Sequence, residues 1–140
     1  MQRNKYLDAL GLDIREYGTN FKYRPTVSGS VKQRRQRKTY GFDERETWGL
    51  DIIFAEWLYS HMMMYKETAS EIIDLSFYKY THNEKEYTQE EAIDYVIDGC
   101  KEYILSDKYT AEEQKLRLEA IEKFKDAITL FAKILPAMWW

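Results

Sequence analysis

From Asp43 onward, apolar side chains recur at intervals of three and four residues, the period of a helix that buries one face. Trp48, Ile52, Ala55, Leu58 or Tyr59, and Met62 form one such stripe. Ahead of it, Asp43-Glu44-Arg45-Glu46 places an acid at an N-cap with a glutamate three residues later. The pattern predicts a helix over about 43–66. Ile72, Ile73 and Phe77 predict a short helix within 69–79, and Thr81-His82-Asn83-Glu84 reads as a loop. Thr88-Gln89-Glu90-Glu91 is a second capping pattern, opening a helix with Ala92, Val96, Cys100 and Tyr103 on one face and ending at Ser106-Asp107. A third, Thr110-Ala111-Glu112-Glu113, precedes Leu116, Ile121, Phe124, Ile128, Phe131 and Leu135, and Pro136 stops that helix.

The beginning of the chain reads differently. Tyr6, Leu7 and Leu10 predict a short helix closed by Gly11. Over 20–40, Phe21, Tyr23 and Val27 alternate with polar residues, Pro25 interrupts, and Ser28-Gly29-Ser30 signals a turn. That stretch is either a β-hairpin or an irregular arm. The expected fold is mostly α: a bundle of three long helices and one or two short ones over 41–140, behind an N-terminal arm over 1–40.

Charge sharpens the division. Residues 1–40 carry net +7, which leaves −10 on the other hundred of the 140 residues. Within the arm, Lys32, Arg34, Arg35, Arg37 and Lys38 put five cations into seven positions. Such a run cannot enter a core, because each buried charge would lack a partner. It faces solvent, its own acidic body, phosphates including those of nucleic acid, or an acidic protein. With 44% apolar residues and 16% aromatics, the chain is neither disordered nor collagen-like. The stretch poorest in charge, residues 50–65, contains Asp51 and Glu56, so no membrane partner is expected. MQRNKYLDAL has no apolar signal core, and a single cysteine fits a reducing cytoplasm.

Catalytic chemistry is thinly represented. His61 and His82 lack a partner motif, two distant histidines with one cysteine make no metal site, and the glycines are isolated. No catalytic residue, cofactor or metal is therefore expected, and Cys100 reads as a packed core thiol. Glu71/Asp74 and Glu91/Asp94 have the i,i+3 spacing by which helical nucleotide pyrophosphatases of the MazG type hold Mg²⁺, a spacing that arises often by chance among 24 acids. Asp51 is a sharper case. Glu44, Trp48, Asp51, Ala55 and Leu58 share one helical face, and a carboxylate on an apolar stripe needs a partner such as Arg45 or a cation of the arm. Two readings follow: a buried salt bridge that docks the arm, or a pocket where Trp48 stacks on a nucleotide-like ligand that Arg45 and Asp51 hydrogen-bond. Met62-Met63-Met64 reads as core filler or an adaptable surface. Trp139-Trp140 packs on the bundle or across an oligomer interface.

The stretch Gly41-Phe42-Asp43-Glu44-Arg45-Glu46-Thr47-Trp48-Gly49-Leu50-Asp51, continued by Ala55-Glu56-Trp57-Leu58, resembles a group of small phage and prophage proteins. They carry a similar segment after a basic stretch, and end in a helix like Leu130-Phe131-Ala132-Lys133 running into a tryptophan pair. The likeness covers residues 32–65 and 120–140. Where that group often has a proline after the first apolar stripe, this chain has Ser60-His61, so the end of that helix is expected to differ. The resemblance implies a phage accessory protein in the cytoplasm of an infected bacterium, with no catalytic assignment. Such proteins frequently block host defence by binding an effector protein or sequestering a nucleotide signal. The expected function is therefore a non-enzymatic counter-defence factor, a homo-oligomer whose surface combines Arg34, Arg35 and Arg37 with Arg45, Trp48 and Asp51. Its rivals are a Mg²⁺-dependent pyrophosphatase and a virion or assembly protein.

Overall fold

In a computed structural model, residues 3–13 and 29–140 are described. They contain five α-helices and one antiparallel hairpin: α1 (Lys5–Ala9), α2 (Val31–Tyr40), α3 (Leu50–Ala69), β1 (Lys79–His82), β2 (Lys85–Thr88), α4 (Gln89–Ser106) and α5 (Gln114–Ile134). The mostly α expectation holds. Among the described residues, no helix is long and apolar enough to cross a membrane. The chain divides into two compact units, Met1–Ser60 and His61–Trp140. That division falls inside α3, not at the change of charge near residue 40.

In the first unit, α1 is capped by Asn4, whose side-chain oxygen accepts from the backbone N–H groups of Tyr6 and Leu7. The Asn4 amide also donates to Ser60 Oγ at 2.8 Å, and Tyr6, Leu7, Ala55, Leu58 and Tyr59 are buried. Residues 31–40, half of the stretch read as hairpin or arm, form a helix instead. Ser30 and Gln33 make a reciprocal capping box at its start, and Gly41 closes it at φ +85°, a conformation that costs glycine little. The alternating residues Phe21, Tyr23 and Val27 lie outside the described residues. The helix expected from residue 43 also divides. Asp43 caps a 3-10 turn (Glu44–Thr47), and α3 begins only at Leu50. The Glu46 backbone N–H donates to the Asp43 carbonyl. Ser60-His61 lies within α3, which runs on to Ala69.

The second unit centres on α4 against α5. Thr88 and Glu91 form the expected capping box, and Ala92, Ile93, Val96, Ile97, Cys100 and Ile104 are buried. The expected stripe on α5 is rotated. Ala120, Ala127, Leu130 and Ile134 are buried, whereas Leu116 and Leu135 are half exposed. Small residues govern that choice: a Cβ added at Gly99 would overlap Ala127 Cβ, so the two backbones meet at their smallest side chains. Tyr103 and Phe124 stack at 4.3 Å beside this contact.

Two expectations between the helices are corrected. The helix read within 69–79 does not form. Asp74 Oδ1 accepts from the Ser76 backbone N–H and hydroxyl, turning the chain locally. The carbonyls of Leu75 and Tyr78 then accept from Glu90 and Gln89, satisfying N–H groups that the first turn of α4 leaves orphaned. The segment read as a loop at 81–84 is the tip of the hairpin, with Tyr80 opposite Tyr87 and His82 opposite Lys85. Asn83 (φ 52°) and Glu84 (φ 63°) are both left-handed, as a two-residue type I′ turn requires.

Candidate functional site

The site read from sequence lies in the first unit, and the structure redistributes its members. α2 buries none of its residues. Its inner face is polar instead: Gln36 Oε1 accepts from the Glu44 backbone N–H at 3.0 Å, and Arg37 Nη1 pairs with Asp43 Oδ2 at 2.7 Å. Asp43 is the centre of this arrangement. Arg45, 2% exposed, donates to Asp43 through Nε at 3.0 Å and Nη2 at 2.8 Å, a fork matched to the two carboxylate oxygens. The Arg45 guanidinium, aided by Arg37, holds the Asp43 carboxyl far below the usual carboxylate range, against the opposing effect of burial. The Asp43 bond in turn raises the pKa of Arg45.

The buried carboxylate beside Arg45 is thus Asp43, and Asp51, expected on the buried stripe, is exposed. Because residues 44–47 form a 3-10 turn, the helical spacing that aligned Glu44 with Trp48 and Asp51 does not apply. Trp48 is 71% exposed. The expected cations therefore meet another carboxylate: Asp43 pairs with Arg37 of α2 and with Arg45 of the turn.

Arg34 and Arg35 remain outward. Arg34 donates to the Gly29 carbonyl at 3.4 Å, and both guanidinium groups are exposed with Lys38 on the side of α2 opposite Gln36 and Arg37. Lys32 pairs with Glu44 at 2.9 Å, which lowers the Glu44 pKa. Tyr40, Phe42 and Trp48, all large and exposed, lie at the end of α2 and just beyond it. A cavity of about 280 Å³ opens among Gln36, Tyr40, Phe42, Asp43, Glu44 and Thr47. Its charged walls are carboxylates.

The carboxylates of the pyrophosphatase reading have other work. Glu91 accepts from the Thr88 backbone N–H, Asp94 pairs with Lys66 at 2.5 Å, and Asp74 holds its turn. No group of three or more His, Cys, Asp or Glu side chains stands ready for a metal among the described residues.

Sequence reading missed a polar cluster in the second unit. His82, 3% exposed, contacts Asp126 Oδ1 through Nε2 at 2.9 Å and Lys133 Nζ through Nδ1 at 3.3 Å. The ring thus bridges a carboxylate on one nitrogen and an ammonium group on the other. Asp126 accepts further from Asn83 and from the Tyr95 hydroxyl. The bond to Asp126 is the largest cause of a Tyr95 pKa pushed up to about 12. The cluster pins the hairpin tip to α4 and α5. His82 and Asp126 are 44 positions apart, and no local pattern marks the pair.

Cys100 is fully buried, and burial pushes its thiol up to about 12, which makes it a poor nucleophile. Comparison with protein-family models, curated proteins and solved structures finds no match to this chain.

Proposed function

We propose that the chain is a non-enzymatic binding protein, a counter-defence factor that holds a host effector protein through the outer face of α2. One observation carries the reading: a ten-residue helix that buries nothing of itself presents Arg34, Arg35 and Lys38 outward. A helix with no apolar face gains little from packing, and here hydrogen bonds to the Asp43–Glu44 turn hold it. Exposed cations of this density favour an acidic partner surface and speed its capture. Tyr40, Phe42 and Trp48 add side chains of the type that dominate protein interfaces. The resemblance to small phage proteins supports the setting, an infected bacterium.

The nucleotide-sequestering form has less support. Arg45 is committed to Asp43, and the nearby cavity is walled by Asp43 and Glu44, a poor environment for phosphate. The pyrophosphatase alternative loses support for the reason already given, since three of its four carboxylates are engaged elsewhere.

The test is charge reversal at Arg34, Arg35 and Lys38 in cells carrying a phage-defence system. Because none of the three is buried, the variant keeps its helical circular dichroism. Protection of an infecting phage, and a complex with the effector that weakens with salt, are expected for the unaltered chain and lost in the variant. A charge-reversed protein that protects equally well overturns the proposal. Salt-dependent binding to duplex DNA in place of a protein moves the function to nucleic acid.

A further inference from the structure

Part of the apolar stripe expected on α5 lies on a second face of that helix. Leu118, Ile121, Lys125, Ile128 and Ala132, with Leu135 at the C-cap, follow one another at alternating steps of three and four residues along its length. Their line runs roughly 140° round the helix from Ala120, Ala127, Leu130 and Ile134, the buried face. Leu118 is 53% exposed and Leu135 52%, Ile121 and Ile128 are half-buried, and Ala132 is exposed. Elements of the same unit pack elsewhere on α5: α4 meets Ala127 through Gly99, and the hairpin tip is held by Asp126 and Lys133. Steps of three and four are the a and d positions of a heptad, whose side chains fit as knobs into the holes of a facing helix. The spacing thus specifies the shape of the occupant. It is a helix that runs alongside α5 for about 30 Å.

We propose that a second copy of this chain covers the seam, with α5 lying parallel to α5 about a two-fold axis. Charge on the two sides of the seam selects that occupant and that direction. Arg117 stands at a g position and Glu122 at an e position. In a parallel pair each g residue lies beside the e residue five places further along the other helix. Arg117 of each copy then meets Glu122 of the other, and the two-fold makes the contact twice. An antiparallel pair sets e against e and g against g, which leaves Glu122 beside Thr129 and forms no such ion pair. Glu122 is exposed, and it holds Lys125 of its own helix through Oε1 at 3.1 Å. Lys125 is the one charged residue among the six of the seam. A single lysine at an a position fixes register and oligomer state at a cost in stability. The pair to Glu122 draws its ammonium to the edge of the seam, where that carboxylate also faces Arg117 of the second copy.

The experiment is sedimentation equilibrium of the full chain and four variants. The unaltered chain is expected to dimerise reversibly. Leu118→Glu, at an exposed position, is expected to keep its helical circular dichroism and to sediment as a monomer. Lys125→Leu is expected to tighten the dimer about tenfold, because it removes the charged layer from the seam. Arg117→Glu and Glu122→Arg each set like charges against one another, and each alone is expected to weaken the dimer about tenfold. Mixed in equal amounts, those two variants are expected to recover the dimer as a heterodimer, since every contact then joins opposite charges. A variant that merely misfolds cannot recover in the mixture, and an antiparallel pair gives no recovery either. A chain that stays monomeric at every concentration, a dimer that Leu118→Glu leaves intact, or a mixture that does not recover overturns the proposal. The outcome is independent of the α2 reading, since Arg34, Arg35 and Lys38 take no part in it.

Discussion

Gly99 of α4 and Ala127 of α5 meet so closely that one added carbon has no place: a Cβ on Gly99 would overlap Ala127 Cβ and stand 3.3 Å from the Lys123 carbonyl. The clash is with a methyl group and a helix backbone, neither of which swings aside. Gly99→Ala gains roughly 1 kcal/mol of helix propensity and still is expected to destabilise the protein by about 1–3 kcal/mol through overpacking. Denaturant unfolding measures the loss. Adding Ala127→Gly should restore part of it, and the double-mutant cycle should show strong coupling.

Arg45→Ala leaves Asp43 buried with one fewer partner, and a loss of about 3 kcal/mol is expected for breaking such a pair. Hydrogen exchange of α2 amides should rise in parallel, because Asp43 also holds Arg37. Arg45→Lys should rescue little, since an ammonium cannot span both oxygens. The pH dependence follows from the lowered Asp43 pKa. Its contribution is fully present above the ordinary value of 3.8 and fades as acid drives the pH below that toward the folded value. NMR titration should find Asp43 ionised where exposed aspartates are already protonated.

Tyr95 titrates late because its hydroxyl is bonded to Asp126. Asp126→Asn should bring the Tyr95 phenol down from about 12 toward 10.0, as followed by NMR of the tyrosine rings. In the unaltered protein this group contributes stability in full below pH 10.0 and loses it as the pH rises through about 12. The variant should also loosen the hairpin tip, visible as faster exchange at Asn83 and Glu84.

Glu84 holds a left-handed φ of 63° that a side chain disfavours. Glu84→Gly creates the Asn-Gly pair that type I′ turns prefer. A gain of up to about 1 kcal/mol is expected, reduced by the greater freedom of glycine in the unfolded chain. Thermal unfolding checks it.

The same turn shows why parts of the fold were hard to read. Tyr80, Thr81 and Tyr87 are good strand residues, but Asn83-Glu84 lacks the glycine that advertises a hairpin. Ile72, Ile73 and Phe77 have helical spacing, yet the Asp74–Ser76 turn and the demands of α4 for carbonyl partners decide that segment. At the candidate site, Arg34 and Arg35 were legible because a dense cationic run has nowhere to go but outward. The exchange of Asp51 for Asp43 was not, because it depends on a 3-10 turn that resets the helical phase before Leu50.

What the sequence determined by itself was local: the capping boxes at Thr88 and Thr110, the long helices after them, the burial of Cys100, and the basic character of residues 31–40. These follow from side chains bonding or repelling within a turn or two of themselves. Tertiary structure alone decided which face of α5 is buried and that His82 meets Asp126. Each of those depends on packing or close approach between segments, and spacing along one chain does not encode the distance between two.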